Sequence, residues 1–290
     1  MKKFLRNIVL FLLGLILIFA VNWSVNYLII KNSEIKINSS DILIIGDSHP
    51  MRAINPSFFN SAQNICQSAE PYSITYWKLK LVINNIKIDT ILIGFAPHNI
   101  SDFNDLKFLD KKWSNEMFER SYLIQDFKSL DNISIDYYSY YRFLFKRLCL
   151  FPRLNHIYYI GNYDNDNRSN VSNVSHTIKR HFNYKNKPSK ISQISINYLD
   201  SIVNLCIEND IVPILINTPV HNTYYTEIPK NIQKRFIIEI KKWKNKGIKV
   251  INHNSSALYP DNYFFNSDHL NNSGASYYTP RLIQLIREKD

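Results

Sequence analysis

The sequence predicts an α/β domain of three layers around a parallel sheet, carried behind one N-terminal transmembrane helix. Brief apolar runs rich in β-branched residues, Ile42 to Ile45, Asp89 to Phe95 and Ile211 to Ile216, suit strands buried on both faces of such a sheet. Longer stretches with helical spacing of apolar residues separate these runs, the alternation expected of strand-helix-strand units. At the start of the chain, Lys2, Lys3 and Arg6 precede an uncharged stretch from Asn7 to Ile30.

With 290 residues and 45% hydrophobic content, the chain can bury a sizeable core, which excludes a disordered protein. The formal net charge of +11 permits attraction to anionic glycans, phospholipid headgroups or nucleic acid. The basic residues are scattered or fall in short runs such as Lys241-Lys242 to Lys246, with no recognised nucleic-acid module, so no nucleic-acid partner is expected. Cys66, Cys149 and Cys206 are odd in number and far apart, against both a disulfide framework and a zinc knuckle.

Residues 1–30 read as a cytoplasmic tip and a membrane anchor. As a helix, residues 7–30 reach about 36 Å, enough to cross the hydrocarbon layer. Trp23 and Tyr27 suit the far interface. No Ala-x-Ala-like site follows the apolar core, which favours an uncleaved signal anchor over a cleaved signal peptide. The positive residues ahead of it hold the N-terminus in the cytoplasm, placing the remainder in the periplasm or at the cell surface. Residues 31–40 are a short polar tether, and residues 41–290 form the α/β domain.

That domain opens with Asp41-Ile-Leu-Ile-Ile-Gly-Asp-Ser-His49, a buried strand running into a turn that Gly46 can bend sharply. Ser48 falls just past the carboxyl end of a central strand, where open α/β sheets place their chemistry, and is the candidate nucleophile. Pro50 to Phe59 suits a short helix or turn, Ala62 to Gln67 a second strand, and Pro71 to Ile86 a helix with proline at its start. The strand at Asp89 to Phe95 leads into Ala96-Pro97-His98-Asn99. From about 100 to 190 the pattern loosens into an aromatic-rich insertion beside the site, holding Tyr137-Tyr138-Ser139-Tyr140-Tyr141 and a polar surface loop at Asn162 to Asn173. Its rings are expected mainly in the core, although exposed ones could stack on sugar faces. A helix near Ile191 to Asn209, the strand Ile211 to Ile216, a helix near Lys230 to Lys246 and a strand at Ile248 to Asn252 follow. Strands alternating with helices through right-handed crossovers predict a three-layer flavodoxin-like sandwich.

Gly46-Asp47-Ser48 early, and Asp268-His269-Leu270-Asn271-Asn272-Ser273-Gly274-Ala275 late, resemble the first and last blocks of the SGNH (GDSL-like) hydrolase superfamily, over about residues 41 to 285. The resemblance implies acyl transfer in which Ser48 attacks and His269 takes its proton. It implies an oxyanion held by the Ser48 N–H, by an N–H of Ser68 or Ala69 where the superfamily has a glycine, and by Asn99. The third block is stretched here to Gly94-Phe95-Ala96-Pro97-His98-Asn99, so His98 could face the site in place of Asn99. The superfamily commonly carries an Asp three residues before the His. This chain has Asn266 there and Asp268 immediately before His269, and we expect Asp268 to orient the ring, with Asn266 as fallback or assisting acceptor. Alternatively Asp268 only caps the following helix.

Membrane-tethered members outside the cytoplasm move or remove O-acetyl groups on cell-surface or capsular polysaccharides. The architecture resembles alginate acetyltransferases and the D-alanyl transfer protein of teichoic acid synthesis. The implied function is an acyltransferase or acylesterase of the bacterial cell envelope acting on a polysaccharide and an acyl donor, with a multi-pass membrane O-acyltransferase as partner. No cofactor is implied. His49, His98, His221 and His269 could all lie near strand ends, but no metal-ligand pairing joins them and no metal is expected. A simple esterase or lipase, and a non-catalytic glycan-binding or scaffold protein on a decayed hydrolase fold, stay open as alternatives.

Overall fold

A computed structural model describes residues 1–125, 130, 132–172, 174–253 and 259–288. Its elements in chain order are α1 (Lys2–Lys31), β1 (Ile42–Ile45), α2 (Ser48–Ala53), β2 (Ala62–Asn64), α3 (Tyr72–Ile83), β3 (Thr90–Gly94), α4 (Ser114–Ser121), α5 (Tyr137–Leu148) and α6 (Val174–Phe182). There follow α7 (Gln193–Glu208), β4 (Val212–Asn217), α8 (Asn222–Glu227), α9 (Lys230–Asn245), β5 (Lys249–Asn252), β6 (Phe264–Asn266), β7 (His269–Leu270) and α10 (Asn272–Arg287). The chain divides into two compact units, Met1–Lys36 with Lys107–Tyr159, and Ile37–Leu106 with Ile160–Asp290. The aromatic-rich stretch near 100–190 is therefore split, Lys107–Tyr159 grouping with the N-terminal helix and its two ends with the sheet.

The sheet unit holds five parallel strands in the order β2-β1-β3-β4-β5. Leu43, Ile44, Ile45, Ile91, Leu92, Ile93 and Leu215 are all fully buried. Because neighbouring side chains of a strand face opposite ways, both faces of the sheet are covered, which is why these strands read as continuous apolar runs. On one face Ile44, Leu92, Ile214, Ile216 and Ile251 pack with Met51 of α2 and with Tyr278 and Leu282 of α10. Each such aliphatic side chain contributes about 1.5–3 kcal/mol on burial. Among the helices, α3 packs on α7, with the Trp77 ring edge-on to Tyr198 at 6.3 Å between centroids.

Most predicted boundaries fall within a few residues of the observed ones. Strand β2 ends at Asn64, short of the predicted Gln67, although the Ile65 and Gln67 N–H groups still donate to Ile44 O and Gly46 O. The Asn64 amide donates to the Pro50 and Ile54 carbonyls while its Oδ1 accepts the Cys66 N–H. The carboxyl ends of β1 and β3 come together under the turn that carries Ser48, and glycine is required there. Gly46 has φ +135°, and a Cβ on Gly94 would fall 2.7 Å from the Pro50 ring. The polar run after Asn162 is tied to the unit through Tyr163 Oη, which donates to Asn272, and Asn165, whose amide donates to Arg52 O at 2.6 Å. Asn173, at its end, lies outside the described residues.

In the other unit, α1 is 30 residues long, with a mean hydropathy of 2.6 over its most apolar window, and is long and apolar enough to cross a membrane. Tyr140 of α5 is fully buried with its ring 5.2 Å from Phe118 of α4, whereas Tyr137, Tyr138 and Tyr141 are exposed. The expectation of core aromatics thus holds at one position of that run and fails at its neighbours, which lie off the buried face of the helix.

Candidate active site

Asp47 caps the short helix α2, its Oδ1 accepting the His49 N–H at 2.9 Å, which leaves Ser48 as the first helical residue at the end of β1. The antiparallel pair β6 and β7 sets Asn266 opposite His269. Segments 221 positions apart meet here, with His269 Nε2 lying 2.7 Å from Ser48 Oγ. On the other side of the ring, Nδ1 is 2.9 Å from Asn266 Oδ1 and 3.3 Å from Asp268 Oδ1. An amide oxygen and an ionised carboxylate can only accept, so Nδ1 carries the proton and Nε2 is left to accept from the Ser48 hydroxyl. That is the tautomer a general base needs beside its nucleophile.

The expected order, with Asp268 orienting the ring and Asn266 as fallback or assisting acceptor, is reversed by the geometry. Asn266 takes the direct hydrogen bond and Asp268 supplies charge from slightly farther away. Asp268 does not cap α10, because the N-cap is Asn271, whose Oδ1 accepts the Gly274 N–H at 3.0 Å. The Asp268 carboxylate is fully buried, 3.6 Å from both His49 Nε2 and Arg180 Nη2. Burial pushes its carboxyl up, but His269 and His49 outweigh that and hold it well below the usual carboxylate range. Burial pushes His269 down and Asp268 returns part of the shift, so the imidazole is neutral at neutral pH, as a base must be.

Residues His98 and Asn99, expected at the oxyanion, are turned elsewhere. His98 Nε2 lies 2.6 Å from Asp47 Oδ2, and Asn99 Nδ2 donates to the same oxygen at 2.7 Å while its own Oδ1 accepts the Ala96 N–H. The physical reason is the buried carboxylate at the cap, which demands donors. Burial raises the Asp47 carboxyl, yet His98 and His49 hold it far below the usual range. Burial, with His49 nearby, pushes His98 down to about 4. His98 stacks on His181 at 4.9 Å and lies against His49 at 4.1 Å, and His181 Nδ1 is 2.8 Å from the Tyr224 hydroxyl. Sequence reasoning missed Arg180, His181 and Tyr224. They come from α6 and α8, and no local motif marks them.

Ala69 takes a left-handed backbone with φ 57°, a conformation that glycine adopts freely and an alanine adopts at a cost of about 1 kcal/mol. The turn is fixed from below. Glu70 Oε2 meets the buried Lys78 Nζ at 2.7 Å, Thr75 donates to Oε1 at 2.6 Å, and the Gln67 N–H donates to Gly46 O at 3.1 Å. Ser68 and Ala69 therefore sit in a turn tied to the end of β1. Arg52 and Arg168 lie over the Phe265 ring, at 4.0 Å and 5.2 Å from its centroid, and give this side of the site a cationic rim.

His221 is apart from these groups, paired to Asp261 Oδ1 at 3.0 Å. Among the described residues, His49, Asp268 and His269 have ligating atoms within 4.8 Å of one another and could hold a metal ion. The donor set suits that poorly, since Arg180 already opposes a cation at Asp268 and Asn266 occupies His269 Nδ1. Neither a scan against protein-family models nor a search of curated proteins finds a match for this chain.

Proposed function

We propose that the chain is an SGNH-type serine acyltransferase or acylesterase. The observation that carries this reading is the relay from Ser48 Oγ through His269 to Asn266 and Asp268, with contacts of 2.7 Å, 2.9 Å and 3.3 Å. The strand order β2-β1-β3-β4-β5 supports a flavodoxin-like three-layer sandwich, a fold that binds ligands beyond the carboxyl ends of its strands. Ser48 Oγ attacks the acyl carbonyl as its proton passes to His269 Nε2, and the buried Asp268 charge stabilises the imidazolium that forms. The oxyanion develops beside the Ser48 N–H, and the superfamily resemblance assigns a second donor to Ser68 or Ala69. Collapse of the tetrahedral adduct passes the proton to the leaving oxygen and leaves an acyl-Ser48 ester. An acceptor hydroxyl or water, deprotonated by His269, then releases Ser48.

The substrate we propose is an O-acetylated cell-surface polysaccharide, or an acetyl donor together with such a glycan. Helix α1 supports a single-pass anchor, and the cations at Lys2, Lys3 and Arg6 favour a cytoplasmic N-terminus with the sheet unit outside. A multi-pass membrane O-acyltransferase is the partner class that would deliver the acyl group. The test is to incubate the full-length chain in detergent with a chromogenic acetyl ester, and separately with an acetylated oligosaccharide plus an unacetylated acceptor. Acceptor-dependent product identifies a transferase, and release of acetate alone an esterase. One observation favours a second reading, a glycan-binding protein on a decayed hydrolase fold. The Asn99 amide, expected as a donor at the oxyanion, spends one of its two N–H groups on Asp47. No turnover of either substrate would select that reading and overturn the first.

A further inference from the structure

A helix leaves its last carbonyls without intrahelical partners, and they normally turn to water. At the end of α5 they turn to two side chains of α1. Asn22 Nδ2 donates to Cys149 O at 3.1 Å and Leu150 O at 3.0 Å, and Asn26 Nδ2 donates to Leu148 O at 2.8 Å and Phe151 O at 2.9 Å. Asn26 is fully buried, and its Oδ1 accepts the Arg153 N–H at 2.7 Å and lies 3.0 Å from His156 Nε2. Two residues one turn apart on α1 thus satisfy the carbonyls of residues 148–151 and bind the segment that follows.

Around this polar knot large apolar side chains stand outward between exposed cations. Phe151, Leu154 and Ile157 are 65%, 87% and 72% exposed, and Phe145 and Leu150 are exposed beside them. At residues 148–151 the carbonyls are paired to side chains of α1 while large apolar side chains stand outward, an arrangement that suits the lipid interface better than water. The depth follows from α1. Phe145 meets the Phe19 ring edge-on at 5.0 Å, and Trp23, stacked on Tyr27 at 5.5 Å, is the aromatic pair suited to headgroup level. Phe19 lies four residues before Trp23 on α1, about 6 Å farther into the apolar span. The end of α5 therefore reaches below the headgroups, while the exposed cations Arg142, Lys146 and Arg153 are spaced along the same segment to meet phosphates.

We propose that residues 142–157 are a second membrane element, a foot inserted into the leaflet where α1 emerges, whose occupant is phospholipid. The proposal goes beyond acyl transfer and rests on α1 spanning the membrane. It makes Asn22 and Asn26 positioning residues that hold the foot at a set depth.

The test uses the full chain in nanodiscs of phosphatidylethanolamine and phosphatidylglycerol, one copy per disc, in a Cys149→Ser background. A fluorescent probe is placed at Leu154→Cys, at Leu12→Cys within the span, or at Glu34→Cys after it. Quenching by a spin label near the top of the acyl chain is compared with quenching by aqueous iodide. The Leu154 probe should be quenched several-fold more by lipid than by iodide, the Glu34 probe the reverse, and Asn26→Leu should return the Leu154 probe to iodide. A lipid-quenched Leu12 probe with an iodide-quenched Leu154 probe overturns the foot and leaves the anchor. Iodide quenching of both, or failure to enter discs, overturns the anchor and the foot together. Protection of Leu154 from both quenchers means that protein covers the face, and overturns the lipid assignment.

Discussion

Replacing Asp268 by Asn should slow acyl transfer by about a thousandfold without breaking the contact between Ser48 and His269. The Asp268 oxygen is 3.3 Å from His269 Nδ1. Because the imidazolium charge is spread over the ring, the effective separation is about 4 Å, and at an effective dielectric of about 20 the attraction is about 4 kcal/mol. That stabilisation grows as the proton arrives, so it falls on the transition state, and about 4 kcal/mol corresponds to about three decades in rate. Asn266→Ala removes an acceptor that orients the ring and bonds the imidazolium, worth about 1.5–3 kcal/mol as a hydrogen bond to a charged group, and should cost about tenfold to a hundredfold. The two variants should also differ in their pH profile. Asp268 raises the proton affinity of His269, so Asp268→Asn should move the acid limb of kcat/KM to lower pH, whereas Asn266→Ala leaves that charge in place. Turnover of a chromogenic acetyl ester across the acid range, at matched folding by circular dichroism, checks this. An unshifted limb and a near-normal rate in Asp268→Asn, with a large loss in Asn266→Ala, would refute the charge argument.

The clamp on Asp47 makes a contrasting prediction. Asn99→Ala should lower stability by about 1.5–3 kcal/mol, the worth of a hydrogen bond to a charged group, and slow turnover less than the hundredfold or more expected of an oxyanion donor. Urea unfolding and kcat measured together decide between those roles. His98, held neutral with its proton affinity pushed down from 6.5 to about 4, predicts a pH dependence of folding. Below about 6.5 the unfolded chain takes up a proton that the folded one refuses, so stability should fall by on the order of 3 kcal/mol between about pH 6.5 and 4. Asp47, whose folded affinity is depressed, adds its own loss only below its ordinary value of 3.8. Unfolding midpoints that do not change with pH across the upper window would contradict a neutral buried His98. Ala69→Gly should raise the melting temperature slightly, because glycine takes the left-handed conformation without the roughly 1 kcal/mol cost to alanine. A lower melting temperature would mean that the alanine methyl contributes more by packing than the backbone loses.

The strands were legible because residues such as Ile42 to Ile45 and Thr90 to Gly94 are buried on both faces, and a continuous β-branched run has few other uses. Ser48 and His269 were legible as the ends of two motifs, although 221 positions separate them. What could not be read was direction. Asn99 follows β3 as expected, but its amide answers a buried carboxylate 52 positions away in sequence, a demand visible only once Asp47 is known to be enclosed. The choice between Asn266 and Asp268 turns on the β6 and β7 pairing, which sets the amide across from the ring and the neighbouring carboxylate beside it. His181 and Arg180 enter from a segment whose composition says only that it is amphipathic. Nothing local marks Asn22 and Asn26, whose role lies in the carbonyls they meet more than a hundred positions away.

The central claim, that Ser48 carries the acyl group, is tested most directly by trapping the intermediate. The full-length chain is mixed with an activated acetyl ester, quenched in acid during turnover and digested for mass spectrometry. The account predicts an acetyl adduct on Ser48 that decays on adding acceptor or on longer incubation, and that is absent from Ser48→Ala. Turnover without an adduct on Ser48, or turnover that survives in Ser48→Ala, would contradict it.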